Sequence, residues 1–127
     1  MAERDIDRLL RGMEPVLHEA AYGFAVWDGG VMPFLPFATV AETEGMTVVA
    51  LLEEMAKAGL ASEQWARISL TIHSDLAAVG LTAAFSAALA AEGISCNVVA
   101  GFHHDHLFVP WARRFDALAA LERFAHG

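Results

Sequence analysis

The chain is 127 residues long with 8 Lys+Arg against 16 Asp+Glu, a net charge of −8. So acidic a balance argues against nucleic acid and anionic membrane partners, which need a basic footprint. Hydrophobic content of 56% and a mean hydropathy of +0.42 exclude a disordered chain and leave an apolar surplus that a second copy would absorb. A single cysteine rules out an internal disulfide. The charged start, MAERDIDRLLRG, has no signal-peptide core, and the apolar run Leu76–Ala91 is shorter than the ~20 residues a spanning helix needs. These features predict a cytoplasmic protein.

Residues 3–12 read as a short amphipathic helix, with Ile6, Leu9, Leu10 and Met13 on one side. Tyr22–Asp28, YGFAVWD, is a strand closed by Gly29-Gly30. In the loop GGVMPFLP, Pro33 and Pro36 exclude a central strand. Its Met32, Phe34 and Leu35 either fold back onto the core or meet a partner. Phe37–Thr43 and Met46–Leu51 form a hairpin around Glu44-Gly45, and Leu52–Ala58 is a helix stopped by Gly59.

The cleanest strand follows Trp65. Ala66, Ile68, Leu70 and Ile72 alternate with Arg67, Ser69, Thr71 and His73, so one face is core and the other polar. A turn through Ser74-Asp75 and Val79-Gly80-Leu81 leads into an Ala-rich helix with Leu81, Phe85 and Leu89 as its core stripe. Its other side, Ala83, Ala87, Ala90 and Ala91, carries no charge and suits packing against another helix or subunit. Two strands, Cys96–Gly101 and His103–Val109, precede a last helix from Trp111 to about Ala125. That helix should bury Phe115, Leu118, Leu121 and Phe124.

The order from residue 66 is strand, helix, two strands, helix, an α+β ferredoxin-like unit that lacks its final strand. Tyr22–Asp28, or a strand from a second subunit, has to complete the sheet. Element order repeats coarsely between residues 1–62 and 63–127, pointing to two related half-domains.

The run VGLTAAFSAALAAEGISCNVV resembles the heart of an ACT domain. The family's turn, helix and following polar strand opener correspond to Val79-Gly80-Leu81, Phe85–Ala90, Gly93-Ile94 and Asn97. GFHHDHLFVP and the ALAALE helix resemble stand-alone bacterial ACT proteins related to the aspartokinase ACT pair. The match covers about residues 66–125, and the first half resembles the family more loosely as a degenerate ACT-like half. The segment Ser74–Val79 departs by lacking the usual Pro before Gly80. The resemblance implies a non-catalytic regulatory module, without cofactor, that binds an amino acid or similar metabolite, usually at a subunit or repeat interface. A homodimer is the expected assembly.

The expected ligand site is the turn into the Ala-rich helix: Ser74, Asp75, Val79, Gly80, Leu81 and Thr82, with Asn97 and Val98 beside it. Gly80 would let a carboxylate approach unpaired helix amides. Capping by Ser74 or Asp75 is the plainer role for the same residues. Two other arrangements compete. His73, His104 and His106 would form a Zn²⁺ set if their strands are neighbours, and hydrogen bonding is the default alternative. Asp105 with His73 or His104 would form a general base for Ser69, Ser74 or Cys96. No nucleophile-elbow pattern accompanies it, and Cys96 is read as a small buried hydrophobe within a strand.

Overall fold

A computed structural model describes residues 14–71 and 75–126, without the side chains of 75–81 and 124–126. The predicted helix at 3–12 and residues Ile72, His73 and Ser74 lie outside the described residues. Six strands form one antiparallel sheet in the order β2-β3-β1-β4-β6-β5. They are β1 (Val16–Trp27), β2 (Ala38–Glu42), β3 (Gly45–Leu51), β4 (Trp65–Thr71), β5 (Asn97–Ala100) and β6 (His104–Pro110). Three described helices, α1 (Leu52–Lys57), α2 (Asp75–Ala91) and α3 (Arg114–His126), join them, and a 3₁₀ turn, Trp111–Arg113, leads into α3.

The first strand runs six residues further upstream than Tyr22. A register shift between Leu17 and Ala21 breaks its alternation, which hides the extension from a period-of-two reading. The added length lets β1 serve twice. It pairs with β3 on one side and β4 on the other, so the strand missing from the second half comes from the first half of the same chain. Reciprocally, β4 closes the first half. The two halves share their central strands, and the sheet needs no strand from another subunit.

Strand periodicity sorts the side chains onto two faces. On one, Ala66, Ile68, Leu70, Leu107 and Val109 meet Phe85 and Leu89 of α2 and Ala117, Ala120 and Leu121 of α3. Burying each of the larger side chains contributes about 1.5–3 kcal/mol. The same face continues into a cluster of Val48, Ala50 and Met55, against which Met32 and Phe34 pack. The loop between β1 and β2 thus tucks two of its apolar residues inward, while Val31 and Leu35 are exposed. At the end of α2, Gly93 takes φ +70°, and the Ile94 N–H donates to the Leu89 carbonyl at 3.0 Å. That stop turns Ile94 back into the core.

No described helix covers the opposite face. It carries an aromatic cluster in which the edges of Tyr22, Phe24 and Phe37 meet Phe108. Around it Val16, Val26 and Val40 stand 53%, 61% and 51% exposed.

Two helix readings are corrected. α2 begins at Asp75, upstream of the turn expected at Gly80, because the alanine-rich run around one glycine outweighs its cost of about 1 kcal/mol. Phe115 is 64% exposed, and the buried stripe of α3 is Ala117, Ala120 and Leu121. The preceding 3₁₀ turn changes the rotation at which α3 meets the sheet, and Phe115 instead stacks beside Arg114. On α2, Ala83, Ala87, Ala90 and Ala91 are exposed, as the uncharged outer face predicts.

Candidate functional site

The polar positions of β4 all face the helix-free side. Arg67, Ser69 and Thr71 stand opposite Phe108, His106 and His104 of β6. On the other flank the irregular start of β1 brings Val16 and His18 alongside Ser69. Together they line an open cleft of about 250 Å³. That is below the ~300–1,000 Å³ of pockets for drug-sized molecules, a size suited to a small metabolite.

Arginine can only donate hydrogen bonds, and this determines the proton positions. Arg67 Nε donates to His106 Nδ1 at 3.3 Å, and its Nη1 donates to the Tyr22 hydroxyl at 2.7 Å. His106 Nδ1 therefore presents a lone pair. The Ser69 hydroxyl, 2.8 Å away, donates to the same nitrogen. Its oxygen is left to accept from His18 Nε2–H at 2.8 Å. The assignment follows from the network. Burial first, then the charge of Arg67 and the adjacent His104 and His18, lowers His106 to about 4. His18 is lowered by burial and then by Arg67. Both rings are neutral at pH 7.

Arg67 also lies over aromatic faces, its guanidinium carbon 4.4 Å from the Phe37 centroid and 5.4 Å from that of Tyr22. The ion pairs among the described residues involve Lys57, Arg113 and Arg123, and none reaches Arg67. A half-buried guanidinium is thus met by ring faces, a phenol and an imidazole, with no carboxylate among the described residues. Its charge is available to an anion.

The Ser69–His106 contact resembles a nucleophile and its base, but the electrostatics oppose that use. An imidazole at about 4 beside a guanidinium is a weak base. The Asp105 expected to orient a histidine stands in register with Leu70 and Ala100, on the helix-covered face. Cys96 precedes β5 instead of lying within a strand, and burial pushes its thiol up to about 11. Among the described residues no three His, Cys, Asp or Glu side chains are grouped to hold a metal. His104 and His106 do share a face, their rings 6.2 Å apart, but His73 lies outside the described residues.

The residues expected at the turn are dispersed. Ser74 lies outside the described residues. Asp75 opens α2, and Val79, Gly80, Leu81 and Thr82 lie along it. Gly80 is the sixth residue of the helix, so its N–H belongs to the helical ladder, beyond the four amides left open at a helix start. Asn97 pairs with Phe108 on the helix-free face, while Val98, its successor in β5, points to the opposite face. The cleft residues His18, Arg67 and Ser69 were not singled out for binding from the sequence. The signal present was two polar alternations, Arg67/Ser69/Thr71 and His104/His106, whose strands are adjacent.

Comparison with known proteins gives the context. Residues 1–67 match one ACT domain family and residues 61–123 a second. A Vibrio cholerae protein of unknown function, VC0802, described as a possible transport protein, is 43% identical over 97% of this chain and 98% of its own, with a TM-score of 0.86. The Agrobacterium tumefaciens protein Atu0741 shares 17% identity over 91% of this chain and 90% of its own, with a TM-score of 0.74. The ligand-free regulatory subunit of aspartate kinase from Thermus thermophilus shares 12% identity over 86% and 94%, with a TM-score of 0.61. No match is found among curated proteins. With a family match over each half and the strand order of an interlocked pair, this chain belongs to the ACT domain family and contains two ACT domains.

Proposed function

We propose that the chain is a non-catalytic regulatory module that binds a small metabolite by its carboxylate, in the cleft on the helix-free face. The observation that carries this is Arg67, a half-buried cation with no carboxylate partner among the described residues, which lines a small cleft together with His18, Ser69, Thr71, His104 and His106. The likeness to the regulatory subunit of aspartate kinase supports a regulatory role, and the family resemblance brings amino acids as the first ligands to consider. A homodimer through the alanine face of α2 belongs to the same proposal.

The test is calorimetric titration of the native protein and Arg67→Gln with amino acids and other small carboxylic acids at millimolar concentration. Removing a charged hydrogen-bond partner costs about 1.5–3 kcal/mol, so at least one acid should bind native protein and lose roughly ten- to a hundredfold in affinity in the variant. Gly80→Val is the companion. A ligand lost in Gly80→Val and retained in Arg67→Gln would move the site to α2 and refute the cleft.

A further inference from the structure

A second groove lies where β1 passes the start of α3. One wall is Leu17, His18 and Glu19, the other is Trp111, Arg114 and Phe115, and about 270 Å³ separates them. Leu17 and Trp111 form an apolar base that packs against the main core. Phe115 stands at the rim, 64% exposed. Arg114 ties the α3 wall together. Its guanidinium carbon is 3.9 Å from the Trp111 centroid and 4.5 Å from that of Phe115, and its Nη1 donates to the Trp111 carbonyl at 2.8 Å. An exposed ring held against an arginine and a tryptophan, over an apolar base, has the make-up of a protein-contact anchor.

Opposite charges stand on the two walls. Glu19 is exposed on the β1 side, and Arg114 is half-buried on the α3 side. Neither takes part in the ion pairs among the described residues. A two-fold axis through the groove mouth exchanges the walls, so the β1 wall of one copy meets the α3 wall of another. Glu19 of each copy then faces Arg114 of the other, and each Phe115 lies against the opposite apolar base. We infer that this groove is a self-complementary contact between two copies of the chain, anchored by Phe115 and oriented by the Glu19–Arg114 pair made twice. Symmetry supplies both charges and the ring at once, which an unrelated partner would have to match separately. The groove's described lining includes no residue of α2, so the contact is distinct from the alanine face. It also stands independently of the cleft as a ligand site.

A contact built on so few residues belongs with the small, weak interfaces and forms at high concentration. The experiment is sedimentation equilibrium of native protein and of Ala87→Glu, which keeps the alanine face from contributing, between about 5 and about 500 µM. The expected result is an average mass that rises at least about twofold across that range in both proteins. Glu19→Arg and Arg114→Glu should each abolish the rise, because like charges then meet across the axis, and the double variant Glu19→Arg/Arg114→Glu should restore it. Phe115→Ser should abolish it as well, and because Phe115 is exposed this variant decides the matter if circular dichroism shows Arg114→Glu unfolded. A mass that stays constant with concentration overturns the inference. So does a rise that survives both single reversals and Phe115→Ser, or a double reversal that does not restore it. If the mass stays constant while Arg114→Glu weakens binding of an amino acid in the titrations above, the groove holds a ligand and the self-contact is overturned.

Discussion

His106 offers a test of the cleft's electrostatics that needs no ligand. In the folded protein burial, Arg67 and the neighbouring rings hold it at about 4, against 6.5 in an unfolded chain. Between those values the unfolded chain binds the proton and the native ring does not, so stability rises with pH across the interval. The contribution is complete above about pH 6.5 and is lost as pH falls toward 4. A drop from 6.5 to about 4 is equivalent to roughly 3 kcal/mol. The ring keeps substantial solvent contact, which screens the charges, so about 1–2 kcal/mol is the expected yield. His18, lowered by burial and Arg67, acts in the same direction. Asp105, raised by burial, acts in the opposite one. Subtracting the profile of His106→Gln from that of the native protein removes most of both. The assay is urea unfolding followed by tryptophan fluorescence at several pH values from 7 to 4.5. Native protein should lose stability faster than the variant below pH 6.5. Parallel profiles would refute a His106 held neutral by its surroundings.

Two further predictions concern packing. A Cβ at Gly23 would stand 2.7 Å from Met55 Sδ and 2.8 Å from Ser62 Cβ. Methionine can yield, but Ser62 is tied by its Oγ to the Phe24 N–H at 2.9 Å. Gly23→Ala should therefore destabilise by about 1–3 kcal/mol in urea unfolding, and an unchanged midpoint would contradict the close approach of β1 to that loop. If the exposed alanine face of α2 joins two copies, native protein should sediment as a dimer at micromolar concentration and Ala87→Glu as a monomer. A native monomer would remove the dimer from the proposal.

Local patterns carried much of the fold. The alternation of Ala66, Ile68 and Leu70 with Arg67, Ser69 and Thr71 located β4 and its buried face, and all three apolar residues are fully buried. Glu44-Gly45 and Gly59 marked true ends. The need for one more strand, from the first half or from a second subunit, followed from counting elements, and β1 of the same chain fills that place. What escaped had physical causes. The upstream part of β1 is irregular, so Val16 and His18 carried no periodic signal. Gly80 looked like a turn because glycine often is one, yet its helical neighbours dominate. The cleft escaped because it is non-local. Ser69 meets His18 across 51 residues and His106 across 37, and no spacing in the chain announces such contacts. Its polar residues were legible only as one solvated side of β4 and a histidine pair on β6. Strand order is what makes them a site.

Whether Arg67 receives the carboxylate of a small metabolite is tested by a crystal structure of the protein with the tightest-binding acid from the titrations. A ligand carboxylate should lie within about 2.7–3.2 Å of the Arg67 guanidinium nitrogens, on the helix-free face between β1, β4 and β6. A ligand seated at the start of α2 beside Asn97, with Arg67 unoccupied, would contradict it.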